Sequence, residues 1–61
     1  MNTLDMIKEL NAMVANSMIQ PTLASKAITY ISQADADEID DFDCMKTSEA
    51  VDMVLDIVRY I

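Results

Sequence analysis

The sequence predicts an all-α domain, a small bundle of three main helices with a short fourth acidic helix or turn. Three observations carry this. Glycine is absent and proline occurs once, so the Asn-Gly and Asp-Gly pairs that make tight strand hairpins are missing. Apolar residues recur at steps of three and four along most of the chain. The one segment rich in strand-favouring residues, 27–31, has no second such segment to pair with, which favours helix over strand there. Sixty-one residues form a single helical domain, 1–61, with no room for a second.

The first helix is expected from about Thr3 to Ser17. Asn2 or Thr3 can cap it, and Asp5 lies in the first turn, where the helix dipole favours an anion. Met6, Ile7, Leu10, Met13, Val14 and Met18 make its apolar face, with Asp5, Glu9 and Asn16 opposite. Asn16-Ser17 is the expected exit, because Asn tolerates the left-handed conformation that glycine would otherwise supply.

The second helix is expected to start at Pro21, a favoured first position, with Thr22 as an alternative cap. Leu23, Ala27, Tyr30, Ile31 and Ala34 form its face. Ala24 and Ala27 are small enough to admit a close neighbour.

Residues 34–43 then hold six of the chain's eleven acidic residues and no base. Read as a short helix, this run places Ile39, Phe42 and Met45 on an inward stripe. Asp37, Asp40 and Asp41 point away from the stripe, and Asp35, Glu38 and Asp43 lie nearer its borders. Crowded acids repel one another, which keeps the helix short.

The last helix is capped by Thr47 or Ser48, carries Glu49 in its first turn and has Arg59 in its last. Val51, Val54, Leu55, Val58 and Ile61 form the main apolar face. Ala50, Met53, Ile57 and Tyr60 form a second band beside it. Glu49, Asp52 and Asp56 occupy the polar side. Two apolar bands fit either a central helix covered on two sides or a helix whose Met53, Ile57, Tyr60 band is an oligomer interface, so a homodimer is one expectation.

Composition narrows function mainly by exclusion. Histidine is absent and cysteine occurs once. The commonest general base is therefore missing, Cys44 has no imidazole to activate it, and neither a structural zinc site nor an internal disulfide can form. Cys44 is expected to be a small, partly buried apolar residue. A glycine-rich phosphate loop cannot exist. The clustered aspartates do not make an EF-hand: counted from Asp35, loop position 5 is Ile39, position 6 is Asp40 and position 12 is Lys46, where the motif needs an oxygen ligand, a glycine and a glutamate. A domain this small is expected to lack a cleft of enzymatic size. We expect no enzyme, no cofactor and no resident metal. Core packing accounts for Met6 and Met13, whereas Met53 belongs to the second band.

The net charge of −7 repels nucleic acid and anionic membranes and favours basic protein surfaces. Direct nucleic-acid or membrane binding is not expected. The lone thiol and the absence of a basic, apolar leader fit the cytoplasm. Asp35, Asp37, Glu38, Asp40, Asp41 and Asp43 are the candidate partner-binding residues, extended by Glu49, Asp52 and Asp56 if the two helices share a face. Ile39 and Phe42 within the run indicate that the acids are held on a folded support.

With its Asp37-Glu38-Ile39-Asp40-Asp41-Phe42-Asp43 cluster and small size, the chain resembles the acidic inhibitors made by phages and mobile elements, among them DNA mimics and some anti-CRISPR proteins. That resemblance implies a protein acting in a bacterial host cell. It would occupy the positive nucleic-acid site of a defence nuclease or CRISPR complex and block DNA or RNA binding. The alternative is a helical interaction or dimerisation module in which apolar contacts dominate and the acids only solubilise.

Overall fold

The computed structural model describes residues 2–61. The fold is all-α, with four helices: α1 Asn2–Ala15, α2 Pro21–Ser32, α3 Ala36–Asp43 and α4 Thr47–Arg59. Helices α1, α2 and α4 pack against one another in pairs, and α3 packs on α1. Residues 27–31 lie within α2, so the strand alternative is set aside.

One core joins all four helices. Met6 and Leu10 enter from α1, Ala27 and Ile31 from α2, and Phe42 from α3; α4 supplies Ala50, Val51, Val54, Leu55 and Val58. The expected stripes account for nearly all of these. Ala24 and Ala27 are buried, and side chains this small leave little between α2 and its neighbours. Helix α4 is the central helix, covered by both α1 and α2. Val14, Met18 and Ile61, assigned to the main apolar faces, are not among the core residues. Met18 is 67% exposed and Ile61 is 79% exposed. Met18 and Ile61 lie beyond the last helical turn, where the helical period no longer determines which way a side chain faces.

Helix α1 ends in a Schellman motif, two residues earlier than expected. The Met18 N–H donates to the Met13 carbonyl at 2.8 Å, and the Ser17 N–H donates to the Val14 carbonyl at 3.0 Å. The left-handed residue is Ser17, at φ 59°, not Asn16. Serine bears a Cβ and gains no local advantage in that conformation.

The start of α4 also departs from expectation. Its cap position is Lys46, with no side-chain cap. The Thr47 hydroxyl is engaged elsewhere, donating to Asn2 Oδ1 at 2.6 Å. Asn2 is the reason. Its Nδ2 donates to the Phe42 carbonyl at 2.7 Å and the Met45 carbonyl at 3.1 Å, and its backbone N–H donates to Asp43 Oδ1 at 2.7 Å. Two carbonyl acceptors and one hydroxyl donor fix which end of the amide faces which. Asn2 therefore does not cap α1 with its side chain but ties the start of α1 to the α3–α4 junction. Among the described residues no buried side-chain polar atom lacks a partner.

Two outcomes test these assignments. Ser17→Gly should raise stability by about 0.5–1 kcal/mol, since it removes the left-handed Cβ penalty at a small cost in chain entropy; urea denaturation reads it, and a lower midpoint would refute the assignment. Asn2→Ala should lower stability by about 2 kcal/mol through three lost, half-buried hydrogen bonds. Asn2→Asp should be worse, because it turns a carboxylate toward two carbonyls. Equal stabilities for the two variants would show that the amide does not hold the junction.

Candidate functional site

The acidic helix α3 is fixed at its start, middle and end, and its own acids do much of the fixing. Asp35 is the N-cap, and its carboxylate accepts from the Glu38 N–H at 2.9 Å. Glu38 is half-buried, and its Oε2 accepts from the Tyr30 hydroxyl at 2.7 Å, linking α3 to α2. Asp43 lies in the last turn of α3, where the helix dipole disfavours an anion. It is nevertheless at the start of α1, where the dipole favours one, and it accepts the Asn2 N–H. On the inner face Phe42 is buried, and Ile39 and Met45 are half-buried.

Asp37, Asp40 and Asp41 remain. All three are exposed, and among the described residues none makes a hydrogen bond or ion pair through its side chain. Asp37 is the i, i+3 and i, i+4 neighbour of Asp40 and Asp41, at about 5–6 Å between Cβ atoms, so the three flank one outer side of the helix. The outcome is a ridge of three free carboxylates on a helix anchored by three others.

The acids of α4 are placed differently. Glu49 is exposed. Asp52 lines a groove of about 350 Å³ between α1 and α4, shared with Glu9, Met13, Asn16 and Met18. Asp56 faces Arg59 at 3.4 Å in an exposed i, i+3 pair. In the second apolar band, Ala50 is buried, Met53 is half-buried against the core, and Ile57 and Tyr60 are exposed. Cys44 is exposed, not partly buried as expected, because it follows the last turn of α3 on the solvent side.

A second groove, of about 490 Å³, lies between α2 and the end of α4. The expectation that a chain this small has no cleft is thus corrected: its helices diverge enough at two places to leave open grooves. Among the described residues no hydrogen bond joins the hydroxyls of the α2–α4 groove to Lys26, or Ser48 of the α1–α4 groove to Asp52 or Glu9, and no three of His, Cys, Asp or Glu gather as a metal-binding cluster. No helix is long and apolar enough to cross a membrane, among the described residues.

These features define a small helical bundle that displays charge on one fixed helix. No protein-family model, no curated protein and no solved structure matches the chain.

The link between α2 and α3 carries a pH signature. The hydrogen bond to Glu38, partial burial, and the negative charges of Glu38 and Asp35 together hold the Tyr30 phenol above its ordinary value of 10.0. A proton held more tightly in the folded chain stabilises the fold below pH 10, and that stabilisation is lost as pH rises above 10 through the folded-state value. Tyr30→Phe should cost about 1 kcal/mol at neutral pH, and the gap between the variant and wild type should narrow above pH 10. Urea midpoints from pH 7 to 11 read this; a gap constant across the range would rule out the bond as its source.

Proposed function

We propose that the protein is a small acidic inhibitor that works by binding, docking its α3 ridge on the positively charged nucleic-acid site of another protein and excluding DNA or RNA. The observation that carries this reading is the division of labour within the acidic run. Asp35, Glu38 and Asp43 anchor α3, which leaves Asp37, Asp40 and Asp41 free on a rigid support. A DNA strand presents a charge about every 3.4 Å along its axis. Three carboxylates fixed on one helix face offer a comparable row of anions without the entropy cost of ordering a flexible tail. The net charge of −7 steers the encounter with a basic groove, and added salt weakens it. The resemblance drawn from the sequence points to a bacterial defence nuclease or CRISPR complex as the kind of partner.

The second reading, a helical interaction module, rests on a different observation: Ile57 and Tyr60 are exposed on the last turns of α4.

A pull-down separates the two. Tagged wild type and an Asp37→Asn, Asp40→Asn, Asp41→Asn variant are each exposed to bacterial lysate, with and without competing DNA. The expected result is a nucleic-acid-binding protein retained by wild type, displaced by DNA and bound at least about tenfold more weakly by the variant, a loss of about 1.4 kcal/mol or more. Helicity should be unchanged, since the three side chains bond to nothing within the fold. A partner held equally by both and indifferent to DNA would overturn the inhibitor reading and move the activity to the apolar end of α4.

A further inference from the structure

We propose that the groove between α1 and α4 is a docking site for an arginine side chain of a partner protein. Its lining sets two acids from different helices beside an apolar floor, and a long basic side chain complements both.

The floor is made of thioethers. Met13 lines the groove from α1 and Met18 from the turn that follows it. Met13 is packed against the core, whereas Met18 is 67% exposed. The backbone holds Met18 in that position, because its N–H is bound to the Met13 carbonyl in the Schellman motif. Methionine is flexible and polarisable, so it adapts to an apolar group laid on it.

The acids are Glu9 from α1 and Asp52 from α4. No lysine or arginine lines the groove, and among the described residues neither carboxylate has an ion pair or a hydrogen bond. Glu9 is half-buried, so solvent screens it less than a fully exposed acid. Two like charges on helices that pack together repel each other, and a cation between them reverses the sign of that interaction.

Simpler occupants complement only half of this lining. An apolar side chain covers the thioethers but strips water from two unpaired carboxylates. A small inorganic cation satisfies the acids and leaves the thioethers in water. Arginine places its apolar stem on the floor and keeps its charge at the rim. Its planar guanidinium has five donors, enough to bridge carboxylates of two helices, with the Asn16 and Ser48 oxygens as further acceptors. A volume of about 350 Å³ is at the small end of ligand sites, the scale of a side chain and not of a large molecule.

The α3 ridge plays no part in this docking, so the two proposals stand or fall separately. The test is titration of the purified chain with the capped tripeptide acetyl-Ala-Arg-Ala-amide, read by NMR of the methionine methyls. A matched peptide with citrulline, the neutral isostere of arginine, and methylguanidinium, the charged head without a stem, are the comparison arms. The expected result is saturable shifts of the Met13 and Met18 methyls with the arginine peptide and none with the citrulline peptide. Glu9→Gln combined with Asp52→Asn should raise the dissociation constant about fivefold or more. Helicity should be unchanged, since neither carboxylate bonds to anything within the fold. Met18→Ser should weaken binding about threefold. The Asp37→Asn, Asp40→Asn, Asp41→Asn variant should bind the arginine peptide at these methyls as wild type does. It loses more charge than the double variant, so net charge alone cannot produce this pattern. Shifts confined to α3, or an affinity unchanged in the double variant or in Met18→Ser, would overturn the proposal. So would methylguanidinium binding at the same methyls as tightly as the arginine peptide, since the floor would then contribute nothing.

Discussion

Ala50, Val51, Val54, Leu55 and Val58 are removed from water between α1 and α2, and the remaining contacts are arranged around that burial. Each buried Val or Leu contributes about 1.5–3 kcal/mol. The whole core of a domain this size supplies only about 3–5 kcal/mol net. Loss of the α4 face would therefore exceed the entire margin of stability. Helices α1 and α2 respond to this need in different ways. Helix α1 presents the large Met6 and Leu10, while α2 sets the small Ala24 and Ala27 beside the larger Ile31. Few residues from each neighbour thus cover α4 on two sides.

Helix α3 stands on a different footing. It contributes one fully buried side chain, Phe42, and six acidic residues surround and cap it. Apolar burial alone gives such a helix little reason to form. Polar contacts compensate: a cap at Asp35, a phenol from α2 at Glu38, and the start of α1 at Asp43. Acids that would repel one another in an isolated helix are thus separated into those with hydrogen-bond donors and those facing solvent. Solubility alone would not require this arrangement, since a flexible acidic loop would serve as well.

Much of this is legible in the residues themselves. The three-and-four spacing of Met6, Leu10, Ile31, Val51, Val54, Leu55 and Val58 reports helix and core together, because period and burial have one cause. Asp37, Asp40 and Asp41 fall on the outer side of α3 for the same reason. What escapes is set by contacts distant in sequence. Nothing near Asn2 reveals that it will meet Phe42, Met45 and Thr47, and nothing near Thr47 reveals that its hydroxyl is thereby withdrawn from capping. The left-handed residue fell on Ser17 instead of its neighbour Asn16, although local preference favours Asn. The grooves, too, depend on how helices diverge, which no single helix records. Met18, Cys44 and Ile61 lie past helix ends, where periodicity stops carrying information.

The Asn2 cluster also ties the acidic helix to the closure of the whole chain. Its hydrogen bonds join residues 40 to 45 positions apart in the chain, so they form only after a long loop has closed, and loop closure carries an entropic cost that the early, local helix contacts do not. The packing of α1 on α4 spans the same stretch of chain, so a single closure brings Met6 and Leu10 onto α4 and Asn2 onto the α3–α4 junction. The seat of the acidic helix is thus coupled to the central core: moving the start of α1 away from α4 would free the Asp43 carboxylate, the Phe42 carbonyl and the Thr47 hydroxyl at once.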